Sequence, residues 1–252
     1  MGKIKVKRKS TLIDMTAMSD VTVLLLTFFM LTSTFLQKEP VQVITPPSVA
    51  TDKVPTSNVA QVLVATDDND NVKVFLSIFG EADPDFPEAD EALGLTPGMY
   101  ASEPLRKEVM RQAVQEYQNI TGENLGITED DLDKFSKIGS FGVPLRNLKA
   151  FLNDPKQDEF MKEHMNDHST GIPLNKVTKN ADVNELQIWL KAVRNAGNPR
   201  LTENIRKDGT GIAVKADRDT KFSKINEVLE SMRAIKMNKF TVMTALAAES
   251  ED

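Results

Sequence analysis

Residues 16–36 form an apolar run that constrains the rest of the chain. As a helix rising about 1.5 Å per residue, its 21 residues reach about 31 Å, close to the thickness of a bilayer's hydrocarbon layer. No other window of the 252 residues approaches this length without charges, so the sequence predicts one transmembrane helix. One carboxylate, Asp20, stands inside it. An acidic residue at a helix centre raises the insertion free energy by about 2.5 to 3.5 kcal/mol, and by default such a group belongs to an ion or proton path. The other reading is an interfacial Asp, wetted by headgroups or bonded to a partner helix. A cleaved signal peptide also begins basic and continues apolar. The length of the run, the presence of Asp20 and the poor cleavage site at Thr32-Ser33-Thr34-Phe35-Leu36 favour an uncleaved anchor.

Charge gives the orientation. Residues 1–15 hold Lys3, Lys5, Lys7, Arg8 and Lys9 against Asp14, a net +4, and positive flanks stay in the cytoplasm. Taking that +4 and the −1 of Asp20 from the chain's −6 leaves −9 on residues 37–252. An acidic bulk beyond the span fits export and argues against a nucleic-acid partner. The chain has no cysteine, which excludes disulfides and thiolate metal sites. At about 100° per residue, Thr16, Asp20, Thr27 and Thr34 share one narrow stripe of the helix, with Val23 beside it. A lone Thr in a span bonds to its own backbone. Four polar positions aligned with an acid suggest a hydrated or protein-facing surface.

The rest of the chain reads as an α+β domain with a large insertion. Residues 37–58 carry Pro40, Pro46, Pro47 and Pro55 and form a semi-rigid linker, in which Val41 and Val43 could supply a short edge strand. Val59 to Thr66 and Val72 to Phe79 flank the turn residues Asp67-Asp68-Asn69-Asp70-Asn71 and read as a hairpin. Later strands are expected at Gly211 to Ala216 and Phe240 to Leu246, with amphipathic helices at Asp182 to Ala196 and Asp219 to Ile235. Residues 59–80 and 182–246 thus make a small sheet packed by two helices, and 247–252 an acidic tail. Residues 81–181 are mainly helical: Ser102 can cap a helix to about Gln118, Thr128 and Asp131 resemble a capping box, and Phe141-Gly142-Val143-Pro144 punctuates. This stretch is either a compact helical subdomain or an elaboration packed on the sheet.

Catalytic chemistry is hard to find. The 67–71 loop resembles a calcium loop only superficially, having Val72 where glycine is required and Ile78 in place of the bidentate Glu. His164 and His168 share a helical face but lack a third ligand at a meaningful spacing. No phosphate loop, dinucleotide fingerprint or nucleophile elbow occurs. We expect no enzyme, no cofactor and no metal site.

Several of these residues together resemble a family. Thr16-Ala17-Met18-Ser19-Asp20-Val21, continuing through Leu24-Leu25-Leu26 to Phe28-Phe29-Met30, is similar to the membrane helix of the ExbD/TolR family of bacterial inner-membrane proteins. Gly211 to Asp217 resembles the family's strand ending in Ala-Asp, Phe222 to Met232 the helix after it, and Lys239 to Thr244 the last strand. Pro46-Pro47 falls where the family has a post-membrane Leu-Pro. Ala17 and Ser19 depart from the family's usual Pro and aliphatic residue, and short members lack 81–181. The resemblance spans roughly 10–80 and 182–246. It implies a single-pass subunit of the bacterial inner membrane, its N-terminus cytoplasmic and its bulk periplasmic. It implies that Asp20 takes up and releases protons, with Thr16, Thr27 and Thr34 supporting its path. The implied partners are a pentamer of ExbB-like subunits, a second copy of this chain and a TonB-like protein, in contact with membrane lipid. The alternatives are a TolR-like or gliding-type stator subunit, or a single-span periplasmic scaffold whose Asp20 holds a partner helix.

Overall fold

The computed structural model describes residues 15–32, 43–48, 57–81, 101–196, 198–207, 209–243 and 245–246. The chain divides into two units, residues 1–37 and 38–252. The first contains α1, Met15–Thr32. Its 18 residues span about 27 Å, somewhat short of a bilayer core. Among the described residues no helix is long and apolar enough to cross a membrane. The run expected at 16–36 continues past Thr32 into residues outside the described set.

The second unit is built on a five-stranded sheet in the order β4-β3-β2-β7-β8. The hairpin of β2 (Val59–Thr66) and β3 (Val72–Phe79) forms as expected, antiparallel, from Val59 opposite Phe79 to Thr66 opposite Val72. β7 (Ile212–Ala216) runs parallel to β2, and β8 (Thr241–Met243) parallel to β7. β2 is buried on both faces, hence its nearly continuous apolar sequence. On the other edge, β4 (Ser140–Phe141) pairs antiparallel with β3. The segment expected as punctuation therefore lengthens the sheet. Gly142 follows β4 so closely that a Cβ there would lie 2.3 Å from the Phe75 ring, so only glycine fits.

Two further corrections concern where elements begin. Asp182 does not start a helix: Ala181–Asn184 is β6, paired with β5 (Lys176–Thr178). α6 (Glu185–Asn195) starts three residues later, because Asn184 and Gln187 form a reciprocal capping box. Ser102 does not cap α2 (Ser102–Thr121); its hydroxyl bonds Gly80 instead. The expected box at Thr128 and Asp131 is present at the start of α3 (Glu129–Ser136). α4 (Leu148–Asn153) and α5 (Gln157–Glu163) follow. α7 (Pro199–Arg206), not foreseen from the sequence, is capped by Asn198 with Pro199 at its first position. α8 (Phe222–Ala234) begins three residues after the expected Asp219. The last strand is interrupted, β8 being followed by β9 (Ala245–Leu246), which pairs in parallel with β1 (Pro47–Ser48). Linker pairing thus falls at 47–48 rather than at Val41 and Val43, of which Val41 lies outside the described residues.

Residues 101–181 share one core with the sheet. Trp189 of α6 stacks on Phe135 of α3 at 5.7 Å and packs on Phe141 of β4 at 4.7 Å, all three essentially buried. Such aromatic pairs contribute about 0.5 to 1.5 kcal/mol each beyond their burial. Arg106 of α2, 4 % exposed, donates to the Ile78 carbonyl at 2.9 Å and the Ser136 carbonyl at 3.1 Å, joining α2, β3 and the end of α3.

Candidate functional site

α1 holds the acid. Asp20 is exposed and makes no hydrogen bond or ion pair among the described residues. Thr27 lies about 20° around the helix from it, one stripe by the helical repeat. Its hydroxyl donates to the Leu24 carbonyl at 2.9 Å, and Thr22 and Thr32 donate to Met18 and Phe28 at 2.6 and 2.8 Å. In α1 these hydroxyls have backbone partners, yet each oxygen can still accept. The side chain of Thr16 and the whole of Thr34 lie outside the described residues, so the stripe is seen here as Asp20 and Thr27.

The rest of α1 is apolar and exposed all round, from Met18 to Leu31. A helix apolar on every side is stable in lipid or among other helices. Once that surface is covered, an ionised Asp20 has lost its water, whereas a protonated one carries only a hydroxyl donor to satisfy. This makes Asp20 a group whose tolerated surroundings depend on whether it holds a proton.

In the second unit the ionisable groups that leave solvent serve the fold. Lys73, 5 % exposed, donates to the carbonyls of Asp167 at 2.5 Å and Thr170 at 3.2 Å. Burial pushes the carboxyl of Asp67 up, but hydrogen bonds from Asn71 and Asn69 and the charge of Lys73 bring it below the usual carboxylate range. The hairpin loop is therefore closed on itself, with Asp67 accepting from the Asn69 and Asn71 amides at 2.9 and 2.8 Å. His164 bonds Asp167 at 2.8 Å and packs on Phe160. Among the described residues no His, Asp and Glu side chains are grouped to hold a metal ion. Glu185 is buried at the start of α6, where its Oε2 accepts the Leu145 N–H at 2.7 Å. Burial pushes its carboxyl up to about 7, against the pull of that bond and of Arg146.

Sequence reasoning placed Asp217 at the end of a family-like strand but gave it no contact. Its amide continues the ladder to Val64 at 3.0 Å, while its Oδ1 accepts the Ile44 N–H at 3.2 Å. The next amide, Arg218, returns a bond to the Ile44 carbonyl at 2.7 Å. Asp217 thus fastens the linker, at Ile44, to the C-terminal end of β7. The signal was the Ala216-Asp217 pair: an acid closing an apolar strand has a free carboxylate to offer a passing backbone N–H.

The sequence matches the family model for biopolymer transport protein ExbD/TolR over residues 6–247. That match runs through 81–181, farther than the two stretches carrying the resemblance. No curated protein and no solved structure matches the chain. With an acid set in an apolar N-terminal helix and a strand ending in Asp217 after it, the chain belongs to the ExbD/TolR family of biopolymer transport proteins.

Proposed function

We propose that this chain is the proton-carrying subunit of an ExbB–ExbD type motor in the bacterial inner membrane, energising TonB-dependent transport across the outer membrane. Membership of the family supports a stator-type role in biopolymer transport, with ExbB/TolQ-like and TonB/TolA-like partners. The observation that carries the finer reading is Asp20, the sole ionisable side chain of an apolar helix exposed on every side. On this reading α1, completed by residues after Thr32, crosses the membrane beside a second copy and inside a pentamer of ExbB-like subunits. Asp20 takes a proton from one side, lies neutral against an apolar wall, and gives the proton up on the other. Each proton crossing the full potential releases about 2.3 kcal/mol per 100 mV. Work is done through motion of the helix, and no bond other than O–H is made or broken, so the chain is not an enzyme.

The test is Asp20→Asn at matched expression. Amide and carboxylic acid have nearly the same shape, but the amide cannot exchange a proton in this range. Uptake through energised outer-membrane receptors is expected to fall to background while co-purification with the ExbB-like partner persists. Retained uptake would overturn the mechanism. Lost envelope constriction with intact uptake would overturn the TonB assignment in favour of a Tol-type one.

A further inference from the structure

The acidic second unit has a basic pole. Residues 191–209 and 233–239 together hold eight cations against Glu203 and Asp208, a net +6, which leaves −15 on the remainder of 37–252. Two sequence-distant stretches meet here. Lys239 donates to the Lys207 carbonyl, and Arg194 at the end of α6 donates to the Ile235 carbonyl at 3.1 Å. The pole lies where β7 and β8 begin, whereas Ile44 of the linker docks on Asp217 at the opposite end of β7. A cationic region on an otherwise acidic body focuses the field and draws anions to itself.

A groove opens in this pole between the end of α6 and α7. Its volume is about 610 Å³, and its lining includes Arg194, Asn195, Thr202, Glu203, Arg206 and Lys207. Sites for small organic ligands have volumes of about 300 to 1,000 Å³. The carboxylate of the groove is already matched. Glu203 is paired with Lys207, and that hydrogen bond, with the charges of Lys207 and Arg200, holds its carboxyl below the usual carboxylate range. The guanidinium groups are not matched. Arg206 is exposed and makes no hydrogen bond or ion pair among the described residues. Arg194 is half-buried and commits Nη1 to Ile235, which leaves further N–H donors without a partner among the described residues. The Asn195 side chain has no partner among them either. The Thr202 hydroxyl donates to the Arg194 carbonyl at 3.1 Å and so ties α7 to α6.

We propose that the α6–α7 groove is a binding site for a small multivalent oxyanion, a di- or tricarboxylate or a phosphate, held by Arg194 and Arg206. A planar guanidinium offers parallel N–H groups to two oxygens of a carboxylate or phosphate, a match that the point charge of an ammonium lacks. One guanidinium comes from each helix, so a ligand with two anionic groups is met from both walls. Arg194 is held in place by Ile235, which prepares one wall before the ligand arrives. The Asn195 amide adds a neutral donor. The site does not involve the proton chemistry of Asp20 and stands whether or not the motor assignment holds.

Titration calorimetry on the full chain in detergent tests this, with citrate and inorganic phosphate as separate probes. Saturable one-to-one binding of at least one probe is expected, and the tighter of the two names the ligand class. Arg206→Gln should weaken binding at least about tenfold, the loss of a charge-assisted pair. The melting temperature of the ligand-free protein should not change, since Arg206 bonds nothing among the described residues. Arg206→Lys should restore only part of the affinity. Arg218→Gln, which removes an exposed cation beside Asp217, should leave binding intact. Absence of saturable binding with both probes would overturn the proposal. So would equal losses in Arg206→Gln and Arg218→Gln, which would reduce the effect to net charge. Binding of a hexaglutamate peptide where both small anions fail would also overturn it, and would assign the pole to an acidic protein partner.

Discussion

Two carboxyl groups, Asp20 and Glu185, show how differently a fold can treat the same chemistry. Asp20 stands exposed on α1 and makes no hydrogen bond or ion pair among the described residues. Glu185 sits in the core and is held by the Leu145 N–H. Because burial raises its carboxyl from the ordinary 4.5 to about 7, the folded state binds a proton the unfolded chain has released. The stability this provides is fully present below pH 4.5 and is lost as pH rises through about 7. The full loss is about 3 kcal/mol at most. Glu185→Gln keeps an acceptor for Leu145 but cannot ionise. Thermal unfolding of the full chain in detergent at pH 5 and pH 8 should differ less in this variant, with its gain concentrated at pH 8. An equal pH dependence in both proteins would show that Glu185 does not titrate between these values.

At the scale of elements, starts and stops were decided by caps more than by apolar periodicity. The 3.6-residue pattern of α6 can be extended back to Asp182, yet β6 occupies those positions and Asn184 sets the boundary. Asn184 also donates to the Ser231 hydroxyl of α8 at 2.8 Å and to the Leu174 carbonyl at 3.2 Å, so the cap is also a tie between elements. Asn184→Ala should therefore destabilise the fold by about 2 to 3 kcal/mol, more than the roughly 1 kcal/mol of a surface cap. Denaturant unfolding of the full chain would measure it, and a loss below about 1 kcal/mol would mean the tie contributes little. α7 escaped notice for a related reason: it is short, and its only strong signal is the Asn198-Pro199 start.

For the whole molecule, the main finding is that residues 101–181, ahead of α6, are woven into the sheet. Their β4 extends one edge, and their Phe135 and Phe141 enclose Trp189. Removing residues 81–181 should leave Trp189 and β3 uncovered and give aggregated protein. A folded, soluble deletion would contradict the shared core. Phe141→Ala, a milder probe, should cost about 3 to 5 kcal/mol as measured by unfolding, although Phe141 lies far in sequence from α6.

The sequence by itself determined the features whose physics is local. An unpaired acid in a long apolar run, a turn between two β-rich segments and the capping box at Thr128 each depend on residues a few positions apart. So did the match of Gly211 to Asp217, and all of these were legible. Tertiary structure alone decided which apolar faces meet, that Ser102 bonds Gly80 rather than its own helix, and that Asp217 fastens Ile44. Apolar spacing reports which side of an element avoids water, but not which partner covers it. A polar side chain near a helix start takes whichever donor or acceptor the fold brings within reach, and that choice is made only when distant segments pack.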